Sequence, residues 1–504
     1  MRQTKVALLG VCIAVFVWLC WVPLAGNATV CVDDFAWLLM AYSRPTVSQA
    51  IAASWSQYMF FRPLDVVANR LVDPLTLDLA PIVPIQMAGL LLLTGGMCRL
   101  ITITSGRDHF AKACAIVWLW MHPSTQVSIW SAGTCSQTWS SAAGLWLLCE
   151  VLSLRQAGSG QSPAAVRVFA LSLFGVVFKE SFVGWATAAA IVVVMGAVTT
   201  VSRRCDRGYK TQLVTTAKTL ILILSPSVMW VVARAAASSF GELVLTSNNP
   251  HYSFQSPTVV ARNVAIALLG MFVQGPVHWA RLLPTPWAAV PFVGAALSAL
   301  IAAQAGRNTK KLANTFFGMS PLGACCGLGV IAVWPLLVIK HVSELYLMGS
   351  NALIAMLVGI GASEEIQRLS DARRAGCISG NAPTAGSWHR WIAASILITI
   401  AVGGSLSRAY HFGITWEYAK QMRLTAFSAL SEAHRMCVDE RFSDGPMHSK
   451  YIVPPAVAAV LPSTFQAAHL VDRHFPEVVF DCSHLEAPDA TAVLKPNLPA
   501  RVMW

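Results

Sequence analysis

Apolar runs of about 20 residues recur from one end of the chain to the other, each long enough to cross roughly 30 Å of hydrocarbon as a helix. The first, Val6 to Gly26, follows Met-Arg-Gln-Thr-Lys and ends among the small residues Ala25, Gly26 and Ala28. Small residues suit a signal-peptide cleavage site, but this apolar core is too long for a secretory signal, so the run reads as a signal anchor with a cytoplasmic N-terminus. Further spans are Ala80 to Thr102, Ala111 to His122, Ser131 to Leu152, Arg167 to Phe178, Phe182 to Thr200, Leu213 to Ala233, Ala288 to Gln304, Phe316 to Ile339, Met348 to Ala362 and Trp391 to Leu406. Arg262 to Pro286, broken by Pro276 and Pro284, reads as an interfacial or re-entrant helix. The pattern predicts an all-α membrane protein of about eleven transmembrane helices.

Composition agrees. Hydrophobic residues make up 55% of the 504 and charged residues only 12%, where a soluble domain carries about 25% charged. A net charge of +12 raises nucleic acid as a partner, but the 36 Lys and Arg are scattered between apolar runs instead of forming one stripe. That distribution speaks for topology and against nucleic-acid binding. Alternate loops hold the cations: Arg99, Arg107 and Lys112; Arg155 and Arg167; Arg203, Arg204, Arg207 and Lys210; Arg307, Lys310 and Lys311; Arg368, Arg373 and Arg374. With a cytoplasmic N-terminus all five groups fall on the cytoplasmic side. A polytopic domain over 1–409, with a first outer loop 27–79 and a central outer loop 234–287, then precedes a non-cytoplasmic tail over 410–504.

Chemistry is therefore expected on the outer face. Asp33 and Asp34 are adjacent acids just beyond the first span. Their mutual repulsion beside a low-dielectric membrane favours a carboxylate able to accept a proton, although an Asp that caps the following helix fits the same position. The same loop continues through an aromatic-rich, amphipathic stretch, Ala50 to Phe61, into Phe61-Arg62-Pro63-Leu64 and Leu71-Val72-Asp73-Pro74-Leu75. Cys437 and Cys482 are the cysteines of the tail, and an oxidising compartment would let them form a disulfide. Cys325 and Cys326 lie within a span and read as small apolar residues. No CxxC metal spacing occurs.

An acidic pair after the first helix, then aromatic-Arg-Pro-Leu, then a Leu-x-Asp-Pro-like turn resembles the GT-C superfamily. The likeness is strongest to the transmembrane O-mannosyltransferases with tetratricopeptide repeats and their bacterial relatives. Four later elements match in order: Met121-His122-Pro123 with Val127, Trp130 and Gly133; Phe178-Lys179-Glu180; Val342-Ser343-Glu344-Leu345-Tyr346-Leu347; and Thr415-Trp416-Glu417-Tyr418. Gln126, Thr134 and Leu345 depart from the family pattern at an acid and two Arg positions, removing charge that could grip a donor phosphate. The tail lacks the repeat period of about 34 residues and carries a helix-like run, Trp416 to Met436, and a Pro-rich remainder.

The resemblance implies inverting transfer of a sugar from a polyprenyl- or dolichyl-phosphate donor to an acceptor hydroxyl; such a donor needs no nucleotide, and no cofactor is expected, with a divalent metal left open. Asp33 or Asp34 would be the catalytic base, with Arg62, His122, Lys179, Glu180, Glu344 and Tyr346 around the donor. Each has a plainer alternative. Lys179 and Glu180 could be an ion pair in a turn, Arg62 a snorkelling cation, His122 a helix end, and Glu344 with Tyr346 interface anchors. Two other functions fit the composition: a transporter or flippase, which would need internal repeats not found here, and a catalytically degenerate scaffold of the same fold. Ala-rich spans and the modest outer tail point to a bacterial inner membrane with the active face in the periplasm.

Overall fold

The computed structural model describes residues 38, 41–42, 44–57, 62–72, 80–106, 108–122, 124–125, 135–157, 162–203, 209–240, 255–272, 289–305, 315, 319–338, 344–374, 435–438, 477–479 and 491–494. They are overwhelmingly helical and form two compact units. The first comprises the described parts of Ala88–Ser128 and Gln137–Ser405; the second comprises those of Val15–Met87, Ile129–Ser136 and Leu406–Trp504.

Along the chain, α1 (Val47–Gln57) and α2 (Pro63–Arg70) lie in the expected first outer loop. They are followed by α3 (Val83–Ser105), α4 (His109–Met121), α5 (Cys135–Ala157), α6 (Ser162–Phe178), α7 (Val183–Arg203) and α8 (Tyr209–Phe240). Then come α9 (Pro257–Gly270), α10 (Ala289–Gln304), α11 (Pro321–Ala332), α12 (Trp334–Leu337) and α13 (Met348–Arg374). Among the described residues three segments are both long and apolar enough to cross a membrane: Val83–Ser105, Glu180–Thr199 and Leu213–Ala233. The expected runs at Val6 to Gly26 and Trp391 to Leu406 lie outside the described residues.

Local chemistry sets the boundaries. Gly106, at φ 90, closes α3 with its N–H on the Thr102 carbonyl at 3.1 Å, a left-handed position that suits glycine. Asp108 then caps α4, its side chain accepting from the Ala111 N–H at 3.0 Å. Ser320 and Pro321 start α11 in the same manner, with the Ser320 hydroxyl accepting from the Gly323 N–H at 3.1 Å.

Three features depart from the sequence expectation. The single span expected over Phe316 to Ile339 is interrupted at Val333, where Pro335 has no N–H for the Ile331 carbonyl and its ring cannot follow a regular turn. Gly184 of α7 faces the Ile331 and Ala332 carbonyls at this break. Second, α13 does not end at Ala362 but continues to Arg374, carrying Arg368, Arg373 and Arg374 within the helix, because Glu, Gln, Arg, Leu and Ala prolong a helix after the apolar pattern stops. Third, Arg435 and Met436 are not helical: Arg435–Val438 is the central strand β1 of a parallel sheet between β2 (Glu477–Val479) and β3 (Thr491–Leu494). Pairing with strands distant in sequence overrides the local helical pattern.

The first unit is organised around α13, which is buried from Met348 through Gly361 and packs against α4, α10 and α11. Small residues allow the approach: a Cβ on Gly359 would collide with the Ala111 carbonyl oxygen of α4, and one on Gly361 with the Ile301 carbonyl oxygen of α10. In lipid the apolar surface of a helix gains little by leaving its surroundings, so such close backbone packing supplies much of the association. Indole N–H groups add cross-links, from Trp118 to the Ser298 hydroxyl at 3.3 Å and from Trp120 to the Thr94 hydroxyl at 3.0 Å. Gly359→Ala is expected to lower the melting midpoint of the detergent-solubilised protein, losing about 1–3 kcal/mol to overpacking. Gly327→Ala in α11, where a Cβ meets nothing within 4 Å, should be neutral or stabilising by about 0.5–1 kcal/mol in the same thermal scan.

Candidate functional site

Lys179 and Tyr346, both singled out by sequence, come together in the first unit. Helix α6 ends at Phe178; Lys179 is extended (φ −157, ψ 133), and a single 3-10 turn, Glu180–Phe182, leads into α7. The break is held locally. The Lys179 N–H still reaches the Gly175 carbonyl at 3.1 Å, the Phe182 N–H reaches the Lys179 carbonyl at 3.0 Å, and the buried Phe182 ring lies against Gly175. The Lys179 side chain is only 4% exposed, with its Nζ 5.4 Å from the centre of the Tyr346 ring. A cation over an aromatic face recovers part of the hydration lost on burial. Tyr346 belongs to the 3-10 turn Glu344–Leu347 that opens directly into α13. Glu180 is half-buried, and Glu344 is placed by its backbone alone.

His122 enters a buried polar cluster that sequence reading did not foresee. It ends α4 in an extended conformation (φ −71, ψ 134), as a residue preceding proline prefers. Its ring packs against Trp118 with centroids 5.0 Å apart. Nδ1 lies 2.9 Å from the Ser124 hydroxyl and 2.8 Å from the Asn351 amide nitrogen, which also donates to Ser124 Oγ. His122, Ser124, Thr125 and Asn351 are all buried. The available sequence signal for Asn351 was a lone amide three residues into an apolar helix, where an unused polar group is expensive.

In the second unit α1 and α2 form a clamped helix pair. Ala41, Ala50 and Val66 form its small core, with Tyr42 and Ile51 packed against it. Arg70 closes the pair, donating to the carbonyls of Ala41 (2.7 Å), Arg44 (3.2 Å) and Pro45 (3.0 Å) while its guanidinium lies 4.6 Å from the Tyr42 ring centre. The Tyr42 hydroxyl donates back to the Val72 carbonyl at 2.7 Å. Arg62 is half-buried at the N-cap of α2, preceding Pro63 at the first helical position. Asp65, also missed from sequence, is fully buried and accepts the Ser136 N–H at 2.8 Å. Ser136 lies in the first turn of α5, where backbone donors lack intrahelical partners and a carboxylate also suits the helix dipole.

Asp33, Asp34 and Cys482 lie outside the described residues. Cys437 sits on the central strand β1 opposite Val479 of β2, from which the chain runs on towards Cys482. Among the described residues no group of three or more His, Cys, Asp or Glu side chains could hold a metal ion. Cys325 and Cys326 are unpaired thiols, the first fully buried.

The described architecture is that of a helical membrane protein with polar chemistry buried at helix breaks. No family model and no curated protein matches the chain. Solved structures similar to it include ArnT from Cupriavidus metallidurans bound to undecaprenyl phosphate, at 13% identity and a TM-score of 0.45, covering 94% of this chain and 78% of that one. The same protein in the apo state is similar at 14% identity and a TM-score of 0.44, with the same coverage.

Replacing Asp65 by Ala is expected to destabilise the protein by about 1–3 kcal/mol, because the Ser136 N–H is left buried without its acceptor. Asp65→Asn, which keeps an acceptor oxygen, should lose less, as read from chemical or thermal unfolding of both variants.

Proposed function

We propose that this chain is a GT-C-like membrane glycosyltransferase that moves a sugar from a polyprenyl- or dolichyl-phosphate donor to an acceptor hydroxyl, with inversion, on the non-cytoplasmic face of a bacterial inner membrane. The observation that carries the reading is Lys179, an ammonium 4% exposed at a break between two apolar helices and backed by the Tyr346 ring. A cation set at such a break can make charge-assisted contacts with an anionic phosphate at the membrane boundary.

In the proposed reaction, Asp33 or Asp34 takes the proton of the acceptor hydroxyl as its oxygen attacks the anomeric carbon from the face opposite the phosphate. The bond from that carbon to the phosphate oxygen breaks, and the lipid monophosphate leaves with the electron pair. Because it leaves as a stable anion, it needs positive charge nearby more than a proton. Lys179 and Arg62 supply that charge, and His122, Glu180, Glu344 and Tyr346 complete the donor contacts.

Purified protein incubated with a panel of polyprenyl-phosphate sugars tests this. Asp33→Asn and Asp34→Asn are expected to separate the base from its neighbour, one of them losing about 10²–10⁴-fold in turnover. Lys179→Met should reduce kcat/KM by about 10²-fold or more. Full turnover in both Asp variants would overturn the base assignment. The outer placement of the tail has its own check: peptides bearing Cys437 and Cys482 should be recovered as one cross-linked species that separates on reduction, and two free thiols in the native protein would count against it.

A further inference from the structure

The Asn351–His122–Ser124 cluster fixes more than the position of a ring. The Ser124 backbone N–H points at His122 Nδ1 from 3.3 Å. A backbone N–H can only donate, so Nδ1 must present its lone pair. Asn351 agrees: its amide nitrogen, a donor, lies 2.8 Å from the same Nδ1 and also reaches Ser124 Oγ. With Nδ1 committed as an acceptor, the ring proton resides on Nε2.

A second observation separates positioning from simple packing. The Asn351 side-chain oxygen is buried with no hydrogen-bond partner among the described residues, while its nitrogen serves both His122 and Ser124. A half-satisfied buried amide is a poor choice for stability, and an apolar residue of similar size would avoid the orphaned oxygen. Residues that break a local rule in this way occur where function requires them.

We propose that Asn351 is a positioning residue that locks His122 as the Nε2–H tautomer, so that His122 meets the lipid-phosphate donor as a hydrogen-bond donor and not as a base. The contact with the donor rests on the function proposed above, whereas the tautomer stands on the geometry alone. No proton changes hands: the Nε2–H binds an oxygen of the phosphate before and after transfer. The donor class implied is a phosphate diester at the membrane boundary, whose ionised phosphate oxygens are acceptors only.

The test separates these two parts. Full-length protein labelled with ¹⁵N-histidine is compared with His122→Gln, used only to identify the His122 signals among the 12 histidines. The expected spectrum has a non-protonated Nδ1 and a protonated Nε2. Asn351→Asp, whose carboxylate can only accept, is expected to move a proton onto Nδ1. Asn351→Leu removes the amide donor and leaves the Ser124 N–H as the remaining donor to Nδ1, so the lock is weakened; its midpoint of thermal unfolding should be maintained or raised, while binding of decaprenyl phosphate in detergent micelles weakens roughly tenfold. A protonated Nδ1 in the wild-type spectrum would overturn the tautomer assignment. The expected tautomer with decaprenyl phosphate affinity unchanged in Asn351→Leu would leave the lock in place but refute the donor contact. A large loss of stability in Asn351→Leu, with Asn351→Asp leaving the His122 signals unmoved, would assign Asn351 to packing and reject its positioning role.

Discussion

The close passage of α13 past its neighbours is the constraint on which the first unit depends. Gly359 against the Ala111 carbonyl and Gly361 against the Ile301 carbonyl leave no room for a side chain on either residue. Because these are close approaches of backbone to backbone, they fix the helix along its axis and about it, in a setting where apolar burial alone discriminates weakly. The register then carries the rest: Ser350 donates to the Gly329 carbonyl at 2.8 Å, and Asn351 reaches His122. The turn that feeds α13 brings Tyr346 beneath Lys179.

Helix breaks are the recurring device for placing polar groups. Pro123 follows His122, Pro335 stands two residues after Val333, and Lys179 stands extended between α6 and a 3-10 turn. Each break frees backbone groups that must find partners, and each is served by a nearby small or polar residue. Gly184 admits the carbonyls near Val333, and Asn263 donates to the Leu337 carbonyl at 2.9 Å. Breaks are also where a side chain can leave the lipid-facing or packed surface of a helix, so chemistry collects at them.

The segment that carries α1 and α2 obeys a different logic. Its helices are too short to persist alone, since an isolated helix of 8 or 11 residues is marginal in water. Arg70 supplies what propensity does not, gathering three carbonyls and the Tyr42 ring into one clamp. Asp65, on the same short helix, spends its carboxylate on the start of α5. The loop that carries Arg62 is thereby a built element and not a tether.

Long apolar runs were legible from sequence because the bilayer dictates length and composition, whereas Gly106, Asp108 and Pro321, which bound helices by acting on their own neighbours, were not singled out there. Lys179 and Tyr346 were legible as individual residues for the same reason: charge and aromatic character at a span end stand out against an apolar background. Their pairing across 167 positions was not. Neither were Asn351 beside His122, Asp65 at the head of α5, or Met436 in a strand. Those depend on partners far along the chain, and a hydrogen bond or a ladder between distant segments leaves no period in either one. Sequence alone determined that this chain is a helical membrane protein and nominated some of its residues for chemistry. Tertiary structure decided which of them meet, because helix register, set by glycines against carbonyls, is a property of pairs of helices and not of any one.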